Sequence, residues 1–203
     1  MHSNTFLNKK STKKLKQGFG LIELLVSISI MILVIGVVLS QQKAFNGAVL
    51  LRGQAYEIAL QAREVQLRAV SVINRDNSTD FREVYGIYFN ELIPNTYNIF
   101  RDGSTIDGYD AGEEFGIQGQ LDKRFEVDDL RLVGSTPSSP GNISVVFERP
   151  NFDARFFVSG VEDTSATSLE VDIWLKGATG TGPGAIRTLE ITKTGQISVK
   201  EIP

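Results

Sequence analysis

The chain has 203 residues, 41% hydrophobic and 22% charged, with a formal net charge of −3, which fits a folded protein of one ordinary domain plus an extended element. It contains no cysteine, and its single histidine is His2 at the extreme N-terminus. Disulfides, thiol nucleophiles, thiolate metal sites, Ser-His-Asp chemistry and HExxH metal sites are therefore excluded from the body.

The charge is segregated along the chain. Lys9, Lys10, Lys13, Lys14 and Lys16 precede Gly18, and no acidic residue comes before Glu23. Without those five lysines, 16 basic residues face 24 acidic ones, a net of −8. A body this acidic does not attract nucleic-acid phosphates, so a nucleic-acid partner is not expected.

Residues 24–39 carry no charge and are dominated by Leu, Ile and Val. Extended back to Phe19, the run reaches about 21 residues, enough for a helix to cross a hydrocarbon core of roughly 30 Å. The lysine cluster ahead of it predicts a cytoplasmic N-terminus and an external body. A cleaved secretory signal does not fit, because Leu39-Ser40-Gln41-Gln42-Lys43 offers no small-x-small site. A plain signal anchor leaves Glu23 unexplained. A charge in an apolar span costs on the order of 2.5–3.5 kcal/mol at the bilayer centre and less near the interface.

Gly18-Phe19-Gly20-Leu21-Ile22-Glu23-Leu24-Leu25 resembles the class III signal of type IV prepilins and type II secretion pseudopilins. The resemblance rests on the glycine, the phenylalanine after it, the glutamate at the fifth mature position, the lysine-rich leader and the long apolar run. Gly20 departs from the threonine or serine commoner at its position. The resemblance implies cleavage between Gly18 and Phe19 by a prepilin peptidase on the cytoplasmic side, and N-methylation of Phe19. It also implies that Glu23 neutralises the new amine of a neighbouring subunit and so sets axial register. Its implied partners are other pilin or pseudopilin subunits, the peptidase/methyltransferase and the inner-membrane assembly platform. The implied location is a single-pass inner-membrane protein with an extracytoplasmic C-terminal domain, passing into a filament at the cell surface. The amine at Phe19 and the Glu23 carboxylate are four positions apart, on one helix face, so pairing within one chain is open as well. Gly36, mid-span, is read either as a small residue for close helix packing or as a point where the helix softens.

The apolar pattern continues as Ala48, Leu51, Ala55, Ile58, Ala62, Val65, Ala69 and Val72, spaced alternately three and four apart as on one face of a helix. Arg52, Glu57, Gln61, Arg63, Glu64, Gln66 and Arg68 fall largely off that stripe. No proline interrupts residues 19–73, which predicts one helix of about 50 residues whose outer half lays its alanine-rich stripe on a sheet. The polar run 74–77 reads as its end.

Beyond it the periodicity moves towards two, and strands are expected at 84–89, 96–100, 125–133, 143–147, 154–158, 169–175, 187–192 and 196–200. Lys193-Thr194-Gly195 fits a hairpin, Arg149-Pro150-Asn151 a tight connection and 135–141 a loop. The expected architecture is α+β, a long helix packed on an antiparallel sheet or small β-sandwich. Its divisions are a leader at 1–18, a helix at 19–74 that spans the membrane to about 40, and a β-rich domain at 75–203. Ala62-Arg63-Glu64, Ala69-Val70-Ser71, Tyr85-Gly86-Ile87-Tyr88-Phe89 and Tyr97-Asn98-Ile99-Phe100, in that order, resemble minor pseudopilins of the GspH/FimT-like class.

Other motifs carry less. Asp102, Asp107, Asp110 and Glu113 crowd a glycine-rich stretch and are candidate calcium ligands. The 12-residue span from Asp102 to Glu113 nevertheless puts Asp107 where an EF-hand needs glycine, and Ser104 and Ile106 at ligand positions. The bland alternative is a pair of hydrated turns. The glycine-rich stretch 176–184 lacks the Gly-Lys-Ser/Thr of a phosphate loop, and Asn77-Ser78-Thr79 and Asn142-Ile143-Ser144 match a glycosylation pattern only as short motifs can. The reading is therefore a structural filament subunit without enzymatic activity. The alternatives are a tip or minor subunit that binds a substrate or DNA for secretion or uptake, and a signal-anchored extracytoplasmic enzyme.

Overall fold

The computed structural model describes residues 20–71, 84–103, 106–136, 139–178 and 184–200, with the side chains of 40–45 left aside. Gly18, Phe19, the leader lysines, Val72, the break at 74–77, the sequon at Asn77, part of the 135–141 loop and most of the glycine-rich stretch 176–184 lie outside the described residues. Helix α1 runs from Leu21–Val70, 50 residues, and two compact units divide at Gln42 and Lys43.

In the first unit the helical span Leu21–Leu39 has a mean hydropathy of 2.8 and none of it is buried. It is long and apolar enough to cross a membrane. Its two serines are satisfied locally, Ser27 Oγ donating to the Glu23 carbonyl and Ser29 Oγ to the Leu25 carbonyl, each at 2.8 Å. That back-bonding is how hydroxyls are accommodated in a helix facing lipid. Gly36 has open space around it, with no atom within 4 Å of where a Cβ would stand.

Among the described residues the second unit contains the outer part of α1 and ten strands. These are β1 (Val84–Asn90), β2 (Thr96–Asp102), β3 (Gly119–Gln120), β4 (Phe125–Val133), β5 (Asn142–Phe147), β6 (Ala154–Val158), β7 (Val161–Glu162), β8 (Ser168–Leu175), β9 (Ile186–Thr192) and β10 (Ile197–Lys200). Six form one sheet in the order β3-β2-β1-β5-β6-β7, and four form another in the order β10-β9-β8-β4. Every pairing is antiparallel. The α+β expectation holds, and the choice it left open resolves to two sheets. Leu51, Ala55, Ile58, Ala62, Val65 and Ala69 of α1 share one buried apolar core with Ile87, Phe89, Val145 and Phe147 of the larger sheet. Leu130, Leu169, Val171, Leu189 and Ile191 of the smaller sheet join the same core. The open edge of β4 is covered, since Val127 N–H donates to the Pro94 carbonyl at 2.8 Å and Leu130 N–H to Glu91 Oε1 at 2.9 Å. Covering an edge in this way removes a template for unwanted strand pairing.

Gln66 departs from the expected solvent face. It is fully buried, because its carboxamide donates to the carbonyls of Phe152 and Gly195, each at 2.8 Å. One side chain thereby ties the helix to the β5–β6 connection and to the β9–β10 turn. Gly195 sits in that turn at φ 79°, where a Cβ would collide with the Phe152 carbonyl and crowd the Gln66 amide. Glycine is required there on both counts.

The outward face of the larger sheet carries a second, smaller core of Val84, Phe100, Val146 and Phe157. Phe100 lies across Gly86, its registered neighbour on β1, in space that any side chain at 86 would fill. The segment after β2 folds over this face, with Tyr109 stacked on Tyr88 at 4.4 Å between ring centroids and its N–H donating to Ser144 Oγ at 3.0 Å. Asp102 is buried beneath that segment. Its Oδ2 accepts from the Gly108 N–H at 3.1 Å, and among the described residues its Oδ1 has no hydrogen-bond partner. Burial pushes the Asp102 carboxyl up to about 6, against the pull of the Gly108 amide, and the neighbouring Glu113 and Asp107 carboxylates add to the rise.

Trp174 is the only tryptophan and lies in β8, so its fluorescence reports unfolding of the body in the detergent-solubilised chain. Gln66→Leu is expected to destabilise the body by roughly 1–3 kcal/mol for each carbonyl left unpaired, and Gly195→Ala by at least about 1 kcal/mol. The pH dependence has a definite sign. A carboxyl raised in the folded state contributes full stability below its unfolded value and loses it as pH rises through about 6. Asp102→Asn should therefore unfold at higher urea than the parent at pH 7, by on the order of 1–3 kcal/mol, and the gap should close by about pH 4.

Candidate functional site

The first turn of α1 contains the chemistry singled out in the sequence. Gly20 opens the helix, its carbonyl accepting from the N–H groups of Glu23 at 3.0 Å and Leu24 at 3.1 Å. Glu23 stands in that first turn, where a carboxylate is favoured by the exposed amides of the helix N-terminus. Its side chain is exposed among Leu21, Ile22, Leu24 and Leu25, which are themselves exposed. The carboxylate is thus ringed by unpacked aliphatic side chains. Phe19 and Gly18 lie outside the described residues, so the spacing of four from Phe19 to Glu23 is a fact of sequence alone.

The acidic segment is organised differently from a cation cage. Glu113 accepts from the Gly103 N–H at 2.9 Å and, through its other oxygen, from the Asp110 N–H at 3.0 Å. Glu114 accepts from the Gly112 N–H at 3.0 Å and from the Tyr109 hydroxyl. Asp102 is directed at Gly108. The carboxylates thus close backbone turns, as Asx-type motifs do. Among the described residues no three acidic or other metal-binding side chains converge as a metal site needs.

The charges on the outward face of the smaller sheet are likewise taken up by one another. Arg131 pairs with Asp129, Glu170 and Asp172, and Lys200 with Glu170 and Glu190. Such a ladder is cross-strand packing on a hydrated face.

One feature of α1 escapes the single-stripe reading of its sequence. Val49, Tyr56, Leu60 and Leu67 are exposed at 52%, 46%, 70% and 54%, on the helix face turned away from the core. Their spacing of seven, four and seven was the available signal.

Residues 13–39 match the family model described as the prokaryotic N-terminal methylation motif. The match takes in three leader lysines, Gly18, Phe19, Glu23 and the apolar helix to Leu39. No curated protein and no solved structure matches the chain. The motif supports a type IV pilin-like, prepilin-peptidase-processed protein whose apolar N-terminal helix anchors it in a membrane.

Proposed function

We propose that the chain is a minor pilin or pseudopilin, a structural subunit of a type IV pilus-like or type II secretion filament, with no enzymatic activity of its own. The observation that carries this reading is the co-occurrence, within residues 13–39, of the methylation motif and an exposed apolar helix containing Glu23 as its one charged residue. Cleavage before Phe19 creates an amine at the membrane boundary. Pairing that amine with Glu23 of an adjacent subunit removes the cost of a bare carboxylate in lipid and fixes the axial position of one chain against the next. The lysines hold the leader in the cytoplasm, within reach of the peptidase/methyltransferase. The body then lies on the far side of the inner membrane until the assembly platform moves the subunit into the filament. A long helix followed by a two-sheet antiparallel body supports assignment to the minor, GspH/FimT-like class.

Mass spectrometry of the native N-terminus tests the processing. The expected chain begins at Phe19 and carries one added methyl group; an intact lysine leader would overturn the reading. Glu23→Leu is expected to insert into membranes at parental levels while its share in sheared filaments drops at least about tenfold, the equivalent of a lost charge pair of about 1.4 kcal/mol or more. Unchanged incorporation of Glu23→Leu would remove the register role.

A further inference from the structure

We infer that the outer half of α1 carries a pairing face for a second copy of the same chain, laid parallel and without axial stagger in the membrane. The inference rests on the anchored-subunit reading above, and it draws on a part of the helix that reading does not use.

The face is the exposed line of Val49, Tyr56, Leu60 and Leu67. It lies on the side of α1 roughly opposite the buried Leu51, Ala55, Ile58 and Ala62. Gly53 falls within the same face and has nothing within 4 Å of where its Cβ would be, which leaves room for a large side chain from another helix. An apolar line of this kind on the water-exposed side of a helix is the pattern of a helix seam.

The charges beside the line decide its partner and the direction of pairing. Glu57 and Glu64 flank it on one side, Arg52 and Arg63 on the other. Arg52 also lies over the Tyr56 ring at 5.5 Å, and Glu64 shares its charge with Arg68 at 2.5 Å. When two such helices lie face to face and parallel, the acidic flank of one meets the basic flank of the other. When they lie antiparallel, acid meets acid and base meets base. The pattern is self-complementary in one direction only, and it is the direction forced on two chains inserted the same way into one bilayer. Axial position follows by the same reasoning. Only with the copies in register does each residue of the exposed line meet its own counterpart across the seam. Arg52 then faces the partner's Glu57 across the seam, the five-residue offset at which the flanking charges of a parallel, unstaggered pair meet. Confinement to the membrane supplies the effective concentration that so narrow a seam needs.

The absence of cysteine gives a clean test in the full-length, membrane-inserted chain. Leu60→Cys lies in the seam, and mild oxidation is expected to yield a disulfide-linked dimer as the main product, with Leu67→Cys behaving alike. Asp110→Cys, exposed on the far segment, should remain monomeric. Adding Glu57→Arg to Leu60→Cys is expected to reduce the dimer at least about fivefold, and adding Arg52→Glu as well should restore it. Equal cross-linking from Asp110→Cys, or no rescue by the charge exchange, would overturn the inference. Leader removal and filament incorporation are measured on the same samples. Processed, incorporated Leu60→Cys chain that gives no dimer overturns the pairing face alone, whereas an unprocessed leader overturns the anchored-subunit reading instead.

Discussion

The body is organised by how closely α1 can approach the two sheets. Ala55, Ala62 and Ala69 recur every seven residues, alternating with Leu51, Ile58 and Val65, and all six are essentially inaccessible. The alanines let the helix axis come near the strands, while the branched residues fill the space between the inward side chains of both sheets. With burial contributing on the order of 1.5–3 kcal/mol for each large aliphatic side chain, this one contact line provides much of the reason for the sheets to close around the helix. A larger residue at 55, 62 or 69 would have to push a whole sheet away, because the facing residues are equally buried.

The same line explains why one continuous helix serves two environments. Over residues 21–39 its surface is apolar on every side and its few hydroxyls turn back on its own backbone, as a lipid environment requires. From residue 51 one face is taken up by protein, and polar residues return elsewhere. The dividing line between the compact units falls inside the helix, between Gln42 and Lys43. The carboxylate at Glu23 is the exception to the first rule, and so it is the residue on which a functional reading turns.

Much of this was legible in the sequence, for identifiable reasons. Strands β4 and β6 appear at the positions their alternation predicts, and six others within two residues at each end, since turn residues bound each of them. The two-residue strands β3 and β7 are too short for any periodicity to register. β7 did leave a trace, because Ser159 and Gly160 take φ 50° and 82°, the tight hairpin geometry that a Ser-Gly pair favours. Gln66 was misplaced because polarity argued for solvent, and only the distant carbonyls of Phe152 and Gly195 make its burial tolerable. The N-terminal motif was readable because its lysines, glycine, phenylalanine, glutamate and apolar run are contiguous in sequence. The acidic segment was not, because whether carboxylates cage a cation or close turns depends on a chain path that spacing alone does not specify.

The interleaving of the two sheets has a consequence for how the body comes into being. The hairpin β1–β2 pairs over neighbouring residues, Val84 with Asp102, and can form as soon as it emerges. β4 cannot do likewise, because among the described residues its one strand partner is β8, Phe125 facing Leu175, and β8 must in turn receive β9. Pairings of such separation carry a large loop-closure entropy and form slowly. The smaller sheet's essential strands, β8 and β9, are thus among the last made in sequence. The body therefore reaches its final form only when nearly the whole chain is available to it.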